Sequence, residues 1–187
     1  MKSFPVESVR ELICEDAIRV RVTELARRIS VDYAGRELLV IGILKGAWIF
    51  VADLVRLLTV PVMVDFMAVS SYGKGTDSSG RVRVSKDIAC SIQGRDVLLV
   101  EDILDSGLTM RFLLDELERR EPAGIKVCVL MDKPARRRVE VSADYVGFEV
   151  PDKFVVGYGA DIAERYRNLP FIGYVEELHQ GENNETS

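Results

Sequence analysis

Histidine is almost missing from this chain: His179 is the only one among 187 residues, and it falls in a polar tail. A His-based catalytic triad and a two-His metal centre therefore lack their residues. Cysteine is scarce as well. Cys14, Cys90 and Cys128 form no C-x-x-C pair, and an odd, scattered set reads as reduced thiols rather than a disulfide frame. Cys128, inside the apolar stretch VCVLM, reads as core packing. Long hydrophobic runs are absent: no segment reaches the roughly 18 apolar residues of a membrane span. The opening MKSFPVESVRELICEDA turns acidic early and has no apolar signal core, so a cytoplasmic protein is the expectation. There is no excess of positive charge either. Thirty Asp and Glu against 25 Lys and Arg leave a net charge of −5, which argues against a general nucleic-acid binder but leaves room for a local cationic pocket. The chain has no internal repeat, no long linker and no G-x-x-x-x-G-K-[ST] P-loop.

What is present is ordinary in amount and specific in pattern. Hydrophobic residues make up 48% and charged residues 29%, enough for one domain with a substantial core. Residues 6–30 carry apolar side chains at helical spacing (Val9, Leu12, Ile13, Ala17, Val20, Val22, Leu25, Ala26, Ile29) and predict one helix, or two with a break. ELLVIGIL at 37–44 is a continuous apolar run, the signature of a strand covered on both faces. A buried helix at 47–58 and a strand at 62–69 follow. SSYGKGTDSSG at 70–80 has too little apolar surface for a core face and predicts a mobile loop. Further strands are expected at 81–84, 96–102, 125–132, 144–150, 154–159 and 171–178, with helices at 110–120 and, short and polar, at 161–167. HQGENNETS at 179–187 predicts a disordered tail. Strands alternating with helices imply an α/β fold with a mainly parallel sheet.

In such sheets ligands bind at the carboxyl ends of the strands. Three polar clusters fall at predicted strand ends: Lys45-Gly46, residues 101–109, and Asp132-Lys133. The middle one, VLLVEDILDSGLT at 97–109, is the most informative. A turn of small residues leads into a helix, so backbone N–H groups and the helix N-terminus favour an anion. Ser106 and Thr109 add hydroxyls, and Gly107 permits close backbone approach. Residues 105–109 therefore read as a phosphate cradle, although Asp105 could simply cap the helix. The two acids before it, Glu101 and Asp102, suit a ligand that also carries hydroxyls or a cation. A ribose phosphate has both features.

This stretch resembles the signature of the type I phosphoribosyltransferases, which bind 5-phosphoribosyl 1-diphosphate. ILKG at 43–46, SSYG at 70–73, MDKP at 131–134 and VGFEVPDKFVVGYGAD at 146–161 narrow the resemblance to the hypoxanthine-guanine phosphoribosyltransferases, over the chain to about residue 178. One departure is Leu108, where many relatives carry lysine. The resemblance implies the type I phosphoribosyltransferase fold: an α/β domain over 1–178 whose central sheet is flanked by helices. A small hood would come from the N-terminal segment and residues 150–178. It implies Mg²⁺-dependent transfer of the phosphoribosyl group to hypoxanthine or guanine.

The resemblance also assigns roles. Glu101 and Asp102 would hold the ribose hydroxyls, directly or through Mg²⁺, and Asp161 would be a further metal contact. Residues Asp105, Ser106, Gly107, Leu108 and Thr109 would hold the 5′-phosphate, with Asp105 as general base or proton relay beside purine N7. Lys45, Gly46 and Arg167 would hold the diphosphate, with a cis Leu44–Lys45 peptide. Lys133 would donate to the purine 6-oxo group, Phe154 would stack on the base, Val155 would read its edge through the backbone, and Asp161 would border it. Ser71 and Tyr72 would belong to a flap that excludes water. Arg136, Arg137 and Arg138 read as a solvated basic patch. The implied partners are small molecules and further copies of the chain, as a dimer or tetramer, with no nucleic acid or membrane. Two other readings stand beside this one: a regulator that uses the phosphoribosyl diphosphate site for sensing, and the same chemistry on xanthine or adenine. Lys133 argues against adenine, whose 6-amino group would leave the lysine unpaired.

Overall fold

The apolar runs and amphipathic stretches become nine strands and three α-helices among the residues that the computed structural model describes, 9–71 and 82–175. In chain order these are β1 (Val9–Ile13), α1 (Glu15–Asp32), β2 (Leu38–Leu44), α2 (Trp48–Val55), β3 (Val62–Ser71) and β4 (Val82–Lys86). There follow β5 (Asp96–Leu104), α3 (Leu108–Glu118), β6 (Gly124–Asp132), β7 (Tyr145–Glu149), β8 (Val155–Val156) and β9 (Ile172–Val175). The expected tail at 179–187 and Tyr72 lie outside the described residues. No described helix is long and apolar enough to cross a membrane.

Six strands form one sheet in the order β4-β3-β2-β5-β6-β7, with β4 antiparallel at its edge and the other five parallel. The central strands are apolar throughout because both faces are covered. Side chains alternate across the sheet with period two. Leu38, Val40, Leu98 and Val100 pack with Ile18, Leu25 and Ile29 of α1 and Phe50 and Leu54 of α2. Leu39, Ile41, Val97 and Leu99 pack on the other side with Met110, Leu113 and Leu117 of α3. A second, antiparallel sheet of order β1-β9-β8 joins the two ends of the described chain.

This second sheet explains the main departure from periodicity. Residues 6–30 do not form a helix throughout. Val9–Ile13 is a strand paired with β9, and the helix begins only after Cys14, whose backbone is extended. Pairing with a distant partner has overridden local helical spacing. The predicted strand at 154–159 shrinks to Val155–Val156. The short helix expected at 161–167 is absent: Ala163, Glu164 and Tyr166 have positive φ, and Ile162 pairs with Arg165 in an isolated bridge. At 97–104 the structure continues where the reading stopped, because β5 keeps its pairing with β6 through Glu101–Val129 to Leu104–Asp132.

The edge of the sheet is pinned by one carboxylate. Asp65 of β3 accepts 2.7 Å hydrogen bonds from its neighbour Phe66 N–H and from Ala89 N–H, and Lys86 Nζ lies 3.7 Å away. Burial opposes the charge, but these N–H donors and Lys86 outweigh it and hold the carboxyl below its usual range. A group depressed in the folded state stabilises above its unfolded pKa, about 3.9 for Asp, and that contribution fades as pH falls through the folded value. We expect Asp65→Ala to cost about 2 kcal/mol at pH 7, read by denaturant unfolding. The gap between variant and parent should narrow at pH 3; a gap that is constant or wider at pH 3 would contradict the assignment.

Candidate active site

The parallel register brings the three polar clusters to one edge. Lys45, Asp105 and Lys133 are each the first residue past β2, β5 and β6. The β2 end runs into a tight turn. The Leu44–Lys45 peptide is cis, Ala47 N–H donates to Ile43 C=O at 3.2 Å, and α2 follows at Trp48. A Cβ on Gly46 would collide with the Asp102 carboxylate, and one on Gly159 with the Gly46 carbonyl. The β2 turn, β5 and the 157–160 loop therefore meet at van der Waals contact.

Glu101 and Asp102, adjacent in β5, face different neighbours. Glu101 lines a cavity of about 250 Å³ together with Asp105, Ser106, Gly107 and Thr109, whereas Asp102 abuts Gly46. Burial first, and then the Asp102 charge, push the Glu101 carboxyl up to about 8. Burial likewise raises Asp102 to about 6, with Arg167 pulling it down and Asp161 pushing it up. These oxygen donors, one buried and one half-buried, are of the kind that could hold a hard divalent cation. No group of three or more His, Cys, Asp or Glu is gathered to hold an ion among the described residues.

The turn after β5 enters α3 through a left-handed glycine. Gly107 is the N-cap of α3 and has φ 83. A Cβ there would lie 2.6 Å from Val141 Cγ1 and 3.1 Å from Arg137 Cδ. Asp105 Oδ1 is buried with no hydrogen-bond partner among the described residues; Arg136 Nε stands 3.6 Å from it. Lys133 is 3% exposed, and its Nζ donates to the Lys153 carbonyl at 2.7 Å. Phe154 is 62% exposed, beside Val155, which is buried and paired with Tyr174. Ser71 ends β3.

Arg167 donates to the Gly159 carbonyl at 2.8 Å and pairs with Asp161 at 2.9 Å. Its Nε is buried with no partner among the described residues. Two features escaped the sequence reading. Glu164 bridges Lys45, at 2.9 Å, and Arg167, at 3.3 Å, which a lone acid in a polar stretch could not announce. Arg137 is not a solvated basic residue as read: its side chain is 18% exposed, it pairs with Asp132, and it donates to the Asp105 carbonyl at 2.8 Å. Only the structure separates it from its neighbours in the RRR run. A larger cavity of about 640 Å³ between α1, α2 and residues 168–170 contains none of the candidate site residues; size alone does not mark the site.

Residues 11–163 match the family model described as the phosphoribosyl transferase domain. The hypoxanthine-guanine phosphoribosyltransferase of Aquifex aeolicus is 51% identical over 178 residues, 95% of this chain and 100% of that protein. A crystal structure of a hypoxanthine-guanine phosphoribosyltransferase from Bacillus anthracis superposes with a TM-score of 0.86 at 49% identity, covering 89% of this chain and 98% of that one. The bifunctional protein TilS/HprT of Listeria monocytogenes is 52% identical over 165 residues, 88% of this chain, and the chain spans only 26% of that longer protein.

The Gly107 geometry separates two costs of adding a side chain. Gly94 also has positive φ, at 70, but a Cβ there meets nothing within 4 Å. We expect Gly94→Ala to cost about 1 kcal/mol from backbone strain alone. Gly107→Ala should cost about 2–4 kcal/mol, because overpacking adds to that strain. Equal losses in denaturant unfolding would show that the turn is not packed against 137–141 as described.

Proposed function

We propose, for a chain that belongs to the phosphoribosyltransferase family, the activity of a hypoxanthine-guanine phosphoribosyltransferase. It transfers the 5-phosphoribosyl group of phosphoribosyl diphosphate to hypoxanthine or guanine and releases diphosphate. The observation that carries this reading beyond the family is one shared edge: Lys45, the 105–109 turn with Asp105, and the buried Lys133 all follow parallel strands that end together. A cation for a leaving anion, an anion cradle and a buried donor for a base are the parts such a transfer needs.

In this reading the backbone N–H groups of 105–109 and the hydroxyls of Ser106 and Thr109 hold the 5′-phosphate. Glu101 and Asp102 accept from the ribose hydroxyls. Lys45, Gly46 and Arg167 hold the diphosphate. Lys45 is released at little cost, since its pairing with Glu164 is solvent-exposed on both sides. The C1–N9 bond forms as the bond from C1 to the diphosphate oxygen breaks. The proton on purine N7 passes to Asp105, whose buried Oδ1 has no hydrogen-bond partner among the described residues and is placed to receive it. The same charge offsets the cation developing at the anomeric carbon. Lys133 keeps one ammonium proton on the Lys153 carbonyl and directs another to the purine 6-oxo group. Phe154 offers its exposed ring for stacking, and Val155 its backbone for the base edge. Ser71 is the described end of the flap.

Glu101, Asp102 and Asp161 are the residues that would hold Mg²⁺; when bound, it neutralises the diphosphate leaving group. A cytoplasmic location belongs to the same proposal, as does assembly with further copies of the chain. Trp48 and Val64 remain 48% and 43% exposed on α2 and β3, and a second copy would cover such apolar surface.

The test is a purine panel. With Mg²⁺ and phosphoribosyl diphosphate, the protein should form IMP and GMP and no AMP; no product from any base would sink the proposal. Asp105→Asn should lower turnover by about 10²- to 10⁴-fold while phosphoribosyl diphosphate still binds, and Lys133→Ala should mainly raise the Michaelis constants for both purines. Near-normal turnover in the first variant, or unchanged constants in the second, would remove that residue from its role.

A further inference from the structure

The phosphate turn is held from behind. Three carbonyls in a row accept from donors in the segment that follows β6. Leu104 C=O accepts from Lys133 N–H at 3.0 Å, Asp105 C=O from Arg137 Nη1 at 2.8 Å, and Ser106 C=O from Arg138 N–H at 2.9 Å. Two of these donors are backbone, fixed by the course of the chain after β6. The middle one is a side chain. The other arm of the same guanidinium, Nη2, pairs with Asp132, the last residue of β6. Both partners are largely buried, at 18% and 21% side-chain exposure. The bare face of Gly107 packs on the Arg137 stem, its position for a Cβ only 3.1 Å from Cδ.

A trans peptide is planar, with its C=O and N–H pointing in opposite directions. Holding the Asp105 carbonyl toward Arg137 therefore turns the Ser106 N–H away from it. Holding the Ser106 carbonyl toward Arg138 does the same for the Gly107 N–H. Those two N–H groups belong to residues lining the 250 Å³ cavity. The orientation of one peptide of the cradle, and of the Asp105 residue that carries the proposed base, thus depends on a single side chain.

We propose that Arg137 is a positioning residue for this turn: its two-armed guanidinium ties the Asp105 carbonyl to the Asp132 carboxylate and so aims the cradle at a 5′-phosphate. The inference rests on the reading of 105–109 as the phosphate site. Arginine is required because a planar fork can serve a carbonyl and a carboxylate at once, whereas lysine is a compact point charge on one stem. Lysine can stay with Asp132 and keep the buried carboxylate paired, but it releases the Asp105 carbonyl.

Arg137→Lys is the test, with ribose 5-phosphate and inorganic diphosphate as separate probes in titration calorimetry, beside steady-state kinetics and thermal melts. The variant should melt within a few degrees of the parent. Its affinity for ribose 5-phosphate should fall about tenfold or more, as small misplacements in a preorganised site do, and kcat should fall with it. Diphosphate affinity should stay within twofold, because Lys45 and Arg167 are not attached to this turn. Parental ribose 5-phosphate affinity in the variant would overturn the inference, and so would equal losses for both probes. A parent protein that binds diphosphate but no ribose 5-phosphate would overturn the phosphate-site reading and the inference together. Should Arg137→Lys fail to fold, Asp132→Asn loosens the tie from its other end and should show the same selective loss, smaller in size; unchanged ribose 5-phosphate binding there would equally overturn it.

Discussion

The register of three buried parallel strands is the constraint on which the rest depends. β2, β5 and β6 hydrogen-bond side by side and are apolar on both faces. A slip of one residue would expose one of these faces and bury polar groups from the flanking turns. Because slipping is so costly, the strand ends are fixed relative to one another, and so are the residues immediately beyond them. Lys45, Asp105 and Lys133 come from distant parts of the chain, yet their separation is set by sheet geometry. The helices repeat the logic: α2 and α3 each start a few residues past a strand end, so the turns have little freedom.

Charge is distributed at this edge against the trend of the whole molecule. The chain is acidic overall, with a net charge of −5, but Lys45, Lys133, Arg137 and Arg167 come together at this edge. Three of them are held by acids: Lys45 by Glu164, Arg167 by Asp161 and Glu164, Arg137 by Asp132; Lys133 is held by the Lys153 carbonyl. The exposed pair is easily exchanged for a stronger anion; the largely buried Arg137 pair is not, since an unpaired charge in its place would be costly. Glu101 and Asp102 are the opposite case. Burial raises both, and a cation or hydroxyl donor is what would relieve them. The edge therefore carries cations and strained carboxylates side by side, the combination that the proposed phosphoribosyl transfer would use.

Much of this was legible in the sequence, for a physical reason. Continuous apolar runs such as 37–44 admit few readings, and the alternation of strands and helices implies a mainly parallel sheet. The placing of Lys45, Asp105 and Lys133 just past strand ends was readable because it follows from the strands. What was not legible was everything set by distant pairing. β1 was read as helix because nothing local announces β9. Residues 161–167 were read as helix because their positive φ values answer to Arg167 reaching the Gly159 carbonyl and Asp161, not to composition. Glu101 and Asp102 looked like a strand end, yet the β6 ladder carries β5 on to Leu104.

Arg137 marks the limit of such reading most sharply. Arg136, Arg137 and Arg138 are identical in the sequence and unlike in the fold. The first half-faces solvent between Asp105 and Asp152, the second is a largely buried tie, and the third contributes its backbone N–H to Ser106. The difference arises because the chain leaves β6 through a single 3-10 turn, Pro134–Arg136, and passes directly behind the turn that leaves β5. Two loops at neighbouring strand ends are thereby made into one unit. Sheet register places the start of each loop; it cannot set which way a peptide plane within the loop faces. That orientation needs hydrogen bonds from outside the strand, and at Asp105 the bond comes from a side chain. The orientation of the 105–109 turn is accordingly set less by the sheet, which is overdetermined, than by this contact between the two loops it supports.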